Sequence, residues 1–234
     1  MNTYAEDYTK SIEEPESFWR AQAEKIDWFE FPTSILDKDP AKDSSWRWFG
    51  GGKLNTSWLA LDRHIQNGRG DQDALIYDSP VTETRQRFTY KELTLRVAKV
   101  AGGLRDLGVR KGDRVIIYMP MVPEAVIGML ACARIGAIHS VVFGGFASAE
   151  LAMRIDDAAP KVILSASCGI EFETVIPYKP LLDEAIRLAE TKVEHVVLLQ
   201  RTQEEANLIE GRDVDWAPWE KESDPTAWIE LDAH

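Results

Sequence analysis

Between residues 112 and 146 the chain passes from an unbroken apolar run, through a proline turn, to apolar positions at helical spacing and then a second apolar run. The segment reads GDRVIIYMPMVPEAVIGMLACARIGAIHSVVFGGF. Its two runs, at 114–119 and 138–143, are short and rich in β-branched residues, as strands buried on both faces require. Pro120 and Pro123 bracket the turn into a predicted helix over 124–135. The alternation continues downstream, with helices over 148–158 and 180–190 and strands over 162–166 and 193–199. Upstream, 74–80 and 86–90 read as a hairpin around an acidic turn. Thr89 and Glu92 form the signature of a capping box for a helix over 90–107, and Gly108 stops it. Strands alternating with helices at this spacing predict βαβ units, hence an α/β fold with an incomplete, mostly parallel sheet and flanking helices.

Residues 1–70 have a different character. They hold five of the eight tryptophans, Trp19, Trp28, Trp46, Trp48 and Trp58, so the aromatic content is concentrated where regular patterning is weakest. Pro15 opens a short helix, residues 27–54 read as irregular, and a second helix is expected over 57–66 with Trp58, Leu61 and Ile65 on one face. The predicted organisation is an aromatic-rich helical leader over 1–70 and an α/β domain over 71–234. The tail beyond Arg201 is acidic and carries tryptophans, with no clear period.

Composition narrows the function. A net charge of −12 argues against a nucleic-acid surface, which needs a basic stripe, and against binding to anionic lipid. Any anionic substrate must be held by backbone N–H groups and a few local cations. Cys132 and Cys168 cannot form a disulfide framework and no CxxC pair exists, so the cytoplasm is the expected compartment. The acidic amino terminus has no signal-peptide core, and Glu124 and Arg134 break the longest apolar stretch, so no membrane span is predicted.

Two loops stand out as candidate sites. Gly144 and Gly145 follow a strand and precede a helix, where doubly wound sheets bind ligands. Glycine there serves either a close backbone approach to a ligand or simply a tight turn. The loop SASCGIEFET, 165–174, also follows a strand. Lys179 offers a nearby cation or is an ordinary solvated lysine. The GGGK of 50–53 is no phosphate loop, because Arg47 stands where the first glycine belongs and Leu54 follows Lys53. There is no GxGxxG fingerprint. His64 reads as a packing residue and His139 as a hydrogen-bonded core histidine. Neither has a partner at metal spacing. Ser140, Ser165 and Ser167 lack the GxSxG elbow.

The 112–146 segment, together with FGGGKLNTSWLALDRHI at 49–65, resembles the amino-terminal part of the AMP-forming short-chain acyl-CoA synthetases, the acetyl- and propionyl-CoA synthetases of the adenylate-forming superfamily. The resemblance implies that 49–65 docks the leader on the large domain and that 71–234 is the first part of the AMP-binding domain. It implies that Phe143, Gly144 and Gly145 lie on the CoA path. It also places the loop Glu171, Phe172, Glu173 and Thr174 where acetyl-CoA synthetases keep an Arg-Ala-Gly-Arg cluster that meets the CoA phosphates. Two carboxylates cannot replace two guanidiniums on a phosphate, so the location carries over and the arginine role does not. The Ser-Cys-Gly-Ile-Glu run of 167–171 resembles the propionyl-CoA synthetase branch.

The family's glycine-, serine- and threonine-rich ATP loop, its adenine motif, hinge aspartate and catalytic lysine have no counterpart between Met1 and His234. The implied parent activates propionate, or next acetate, using ATP, Mg2+ and CoA. The chain alone is expected to be inactive, lacking the remainder of the parent and holding no catalytic residue. Two other readings stand beside it: a stand-alone, non-catalytic binding or assembly module that uses exposed tryptophans, and a dinucleotide-dependent oxidoreductase, which lacks its fingerprint.

Overall fold

The computed structural model describes residues 3–38 and 45–233, which fall into two compact units: residues 3–55 with 230–233, and Thr56–Ile229. The first unit begins with helices α1 (Tyr4–Glu13) and α2 (Pro15–Ala23). Apolar spacing does not predict α1, because that helix buries no residue; its signal is the reciprocal capping box of Thr3 and Glu6. Strand β1 (Leu36–Lys38) pairs antiparallel with β2 (Trp46–Trp48), and β3 (Lys53–Leu54) pairs with the short segment Leu231–Asp232. Aromatic edges hold this unit together: Trp19 meets Trp48 at 5.6 Å, and the Trp28 indole N–H donates to the Ala23 carbonyl at 2.9 Å.

The second unit opens with α3 (Thr56–Ala60) and α4 (Asp62–His64), followed by a wide turn over Ile65–Arg69. The single helix expected over 57–66 is broken at Leu61, whose φ of −127° leaves the helical region. Leu61 is buried in the core while Asp62 reaches the Arg134 guanidinium at 2.7 and 3.0 Å, and the break serves both. His64 packs on Tyr90 with ring centroids 4.7 Å apart. Strands β4 (Asp73–Ser79) and β5 (Thr84–Thr89) form the predicted hairpin, and α5 (Tyr90–Asp106) starts with both arms of the Thr89–Glu92 capping box in place.

Then follow β6 (Arg114–Tyr118), α6 (Pro123–Ile135), β7 (Ile138–Val142), α7 (Ser148–Ala158) and β8 (Val162–Ala166). A small antiparallel hairpin, β9 (Cys168–Glu171) with β10 (Thr174–Pro177), leads into α8 (Tyr178–Leu188). The unit continues with β11 (His195–Leu199), β12 (Asp213–Asp215) and α9 (Trp216–Glu222). The α/β architecture read from the sequence is the one found. Its sheet has five strands in the order β12-β11-β8-β6-β7, all parallel. Counted along the chain, this is the 2-1-3-4-5 order of flavodoxin-like sheets, whose switch point lies between the first and third strands, here β6 and β8.

Successive residues of each strand face opposite layers. Val115, Ile117, Leu164 and Val197 pack with α5, α6 and the fully buried Trp216. Ile116, Tyr118, Ile163 and Val196 pack with α7 and α8. Each such side chain contributes about 1.5–3 kcal/mol by leaving water. Both cysteines are buried, Cys132 in α6 and Cys168 in β9, and burial pushes the Cys132 thiol up to about 12.

The acidic tail, which shows no clear period in the sequence, is structured: β12 and α9 complete one side of the sheet, and Asp213 in β12 has a fully buried carboxylate. Two expectations need correction. Lys179 is not solvated. It sits in the first turn of α8 with its Nζ 2.5 Å from Asp183 and 3.0 Å from Asp213, and Arg212 bonds the same two carboxylates. His139 is exposed and not a core residue, because β7 is an edge strand with a neighbour on one side only among the described residues. Ile138 and Val141 of that edge are also exposed. Among the described residues no helix is long and apolar enough to cross a membrane.

Candidate functional site

A groove of about 340 Å3 opens at the carboxyl ends of β6, β7, β8 and β11, beside the switch point of the sheet. Each strand contributes the residues that follow it. Met119, Pro120 and Met121 come after β6; Val142, Phe143 and Gly144 from the end of β7; Ile170 and Glu171 from the hairpin after β8; Arg201 from the end of β11. Tyr77 and Val81 of the β4–β5 hairpin form a further wall. The lining is mostly apolar, with a few polar groups that converge near Tyr178.

The residues singled out in the sequence divide. Phe143, Gly144 and Glu171 line the groove. Gly145 is exposed with φ of +102°, a conformation that favours glycine, and the Glu171 carboxylate lies 3.2 Å from where a β-carbon on Gly145 would stand. Gly145 and Glu171 are 26 residues apart in sequence, so the two loops meet. Phe172, Glu173 and Thr174 instead form the exposed far end of the hairpin. Phe172 is 94% exposed at φ of +53°, and Thr174 pairs with Glu171 across the turn.

The reason Gly144 must be glycine is inside the protein. A β-carbon there would stand 2.3 Å from the Tyr178 hydroxyl oxygen, and one on Gly169 only 2.4 Å from the same ring. Tyr178, buried at the start of α8, is thus wedged between the two loops. Its ring stacks on Tyr118 at 4.9 Å, and the Tyr118 hydroxyl donates to the Phe146 carbonyl at 3.3 Å. Burial, with the nearby Tyr118 and Glu171 and against the Arg201 charge, pushes the Tyr178 phenol up to about 12, so it stays a hydrogen-bond donor at neutral pH. Burial likewise raises the Tyr118 phenol.

Sequence reasoning missed Tyr178 and Arg201. The signal for Arg201 was its place immediately past a strand end; the signal for Tyr178 was a pair of glycines, Gly144 and Gly169, with one bulky neighbour to share. Arg201 is half-buried, donates through Nη1 to the Cys168 carbonyl at 3.0 Å, and is anchored by its own N–H to the Ser167 hydroxyl at 2.9 Å. No carboxylate among the described residues pairs with it. At the rear of the Gly144–Gly145 loop, α7 begins without a capping side chain, so its first-turn N–H groups also favour an acceptor there, with Glu150 as the opposing charge. Among the described residues no three His, Cys, Asp or Glu side chains converge as a metal ion needs.

Comparison with known proteins shows the family. The model of the AMP-binding enzymes matches residues 61–230, and that of the acetyl-coenzyme A synthetase N-terminus matches 4–60. The chain belongs to the AMP-binding enzymes. Within that family its relatives are short-chain acyl-CoA synthetases. It is 49% identical over 214 residues to the human mitochondrial acyl-CoA synthetase short-chain family member 3, a match covering 91% of this chain and 31% of that one. It is 46% identical over 232 residues to the propionate–CoA ligase of Escherichia coli K12, covering 97% and 36%. The acetoacetyl-CoA synthetase structure from Streptomyces lividans superposes with a TM-score of 0.85 at 25% identity, covering 99% of this chain and 35% of that one. The chain thus spans about a third of the length of the curated relatives it matches. An AMP-binding enzyme of this branch leaves no room for the dinucleotide-dependent oxidoreductase reading.

Proposed function

We propose that a protein carrying this region activates a short carboxylic acid, propionate in preference to acetate, and that the groove described here receives part of its CoA. The acid attacks the α-phosphate of ATP to give an acyl-adenylate and pyrophosphate, and the CoA thiol then displaces AMP. In this reading the groups that hold ATP and Mg2+ lie outside residues 1–234. The observation that carries the reading is the meeting of Phe143–Gly145 with the Glu171 hairpin at one groove beside the switch point of the sheet. The apolar walls suit a pantetheine arm, and the polar corner at Tyr178, Glu171 and Arg201 suits its amide and phosphate groups. The Ser167–Glu171 run and the relationship to a propionate–CoA ligase support propionate.

Two measurements test this. The 234-residue chain binds CoA in a calorimetric titration but releases no pyrophosphate from ATP with propionate and Mg2+. Absence of CoA binding would remove the site reading, and turnover above a blank would overturn the assignment of adenylation to residues outside this chain. For an enzyme extended to the relatives' full length, kcat/KM for propionate exceeds that for acetate; the reverse order would overturn the substrate preference.

A further inference from the structure

In this chain of net charge −12, several enclosed cations are held by carboxylates. Arg96 is held by Glu220 and Glu124, Arg134 by Asp62, and Arg212 and Lys179 by Asp183 and Asp213. Arg201 lines the groove with no such partner, and only one arm of its guanidinium is used, on the Cys168 carbonyl. Half-burying a guanidinium without a carboxylate costs free energy unless an acceptor completes it. The Tyr178 hydroxyl faces the same groove and makes no hydrogen bond within the described residues. Glu171 also lines the groove but does not pair with Arg201. Its carboxylate lies instead beside Gly145.

We propose that Arg201, with the Tyr178 hydroxyl that lines the same groove, forms a phosphate-binding corner of it. The inference rests on the reading of this groove as a CoA surface and says which of its residues take the anionic end. A planar guanidinium held at one end by a main-chain carbonyl is pre-aimed, so its free N–H groups meet a phosphate oxygen pair without ordering a long side chain. The phenol adds a neutral donor. Glu171, on the glycine side, takes N–H or O–H donors of the ligand and opposes a bare phosphate.

The experiment titrates the 234-residue chain separately with CoA, pantetheine and inorganic pyrophosphate. CoA and pyrophosphate bind the parent. Arg201→Gln weakens both by roughly tenfold to a hundredfold and leaves pantetheine unchanged, as loss of charge-assisted bonds to one phosphate group requires. Arg201→Lys, which keeps the charge without the fork, falls between, and it decides the matter if the glutamine variant fails to fold. Tyr178→Phe gives a smaller loss, and Glu171→Gln tightens pyrophosphate. If CoA binds the parent and the Arg201 variants equally, the inference is overturned and the site reading stands. If pyrophosphate binds through Arg201 but CoA does not bind, the CoA reading is overturned and the phosphate corner stands. If neither probe binds the parent, both are overturned.

Discussion

The cations beside β12 and the cation at the groove are built in opposite ways. Lys179 and Arg212 are enclosed with Asp183 and Asp213 in a network in which every charge has a partner. Arg201, at the far end of the neighbouring strand β11, has a carbonyl on one side and an open groove on the other. The first arrangement ties α8 to β12 and gives each cation two carboxylates. The second leaves donor capacity unspent, at some cost to the isolated chain. Within one small sheet, the presence or absence of a carboxylate partner separates a structural charge from a receptive one, where residue type alone cannot.

Removing one member of the closed network sharpens the contrast most. Asp213→Ala leaves Lys179 and Arg212 buried around a single remaining carboxylate, and a loss of about 3–5 kcal/mol in urea unfolding is expected. Arg201→Gln, by contrast, gives up about 1 kcal/mol or less, one carbonyl bond at a half-buried site. Comparable losses in the two variants would erase the distinction. Next in size is Gly144→Ala. Its added methyl collides with the Tyr178 hydroxyl, so the ring must move, at about 1–3 kcal/mol, with a changed near-ultraviolet dichroism from the Tyr118–Tyr178 stack. An unchanged stack would show that the wedge yields freely.

The smallest effect is in pH dependence. Burial alone would raise the Asp213 carboxyl, but bonds from Arg212, the Ile209 N–H and Lys179 outweigh it and hold the group below the usual aspartate range. A depressed folded-state pKa means that its stabilisation is complete above the unfolded value of about 3.9 and is lost as pH falls through the lower folded value. Stability therefore declines on acidification below about pH 4, and Asp213→Asn flattens that decline relative to the parent. A decline of unaltered steepness in the asparagine protein would assign it to other carboxylates.

How much of this was legible from sequence follows the physics of each element. Strands β6 and β8 and helices α5 and α7 are spelled by apolar runs, helical spacing and caps, signals that local sequence carries. Strand β12 is not, because Asp-Val-Asp is held in the sheet by buried charge pairing with Lys179 and Arg212, which only tertiary structure supplies. The β9–β10 hairpin was hidden for a similar reason: its turn places Phe172 at positive φ where a glycine or asparagine would have announced it. At the site, the glycine pair and the strand-end loop were legible as places. The purpose of Gly144 was not, since the side chain it accommodates arrives more than thirty residues later in Tyr178.

The concealment of both sulfur atoms gives the folded chain a useful silence. With Cys132 inside α6 and Cys168 inside β9, neither sulfur is presented to solvent. A disulfide reagent mixed with the native protein and a thiol-bearing ligand thus reports the ligand's sulfur alone. The same reagent, given time and no ligand, counts excursions that open the sheet, because labelling awaits exposure of α6 or the hairpin after β8.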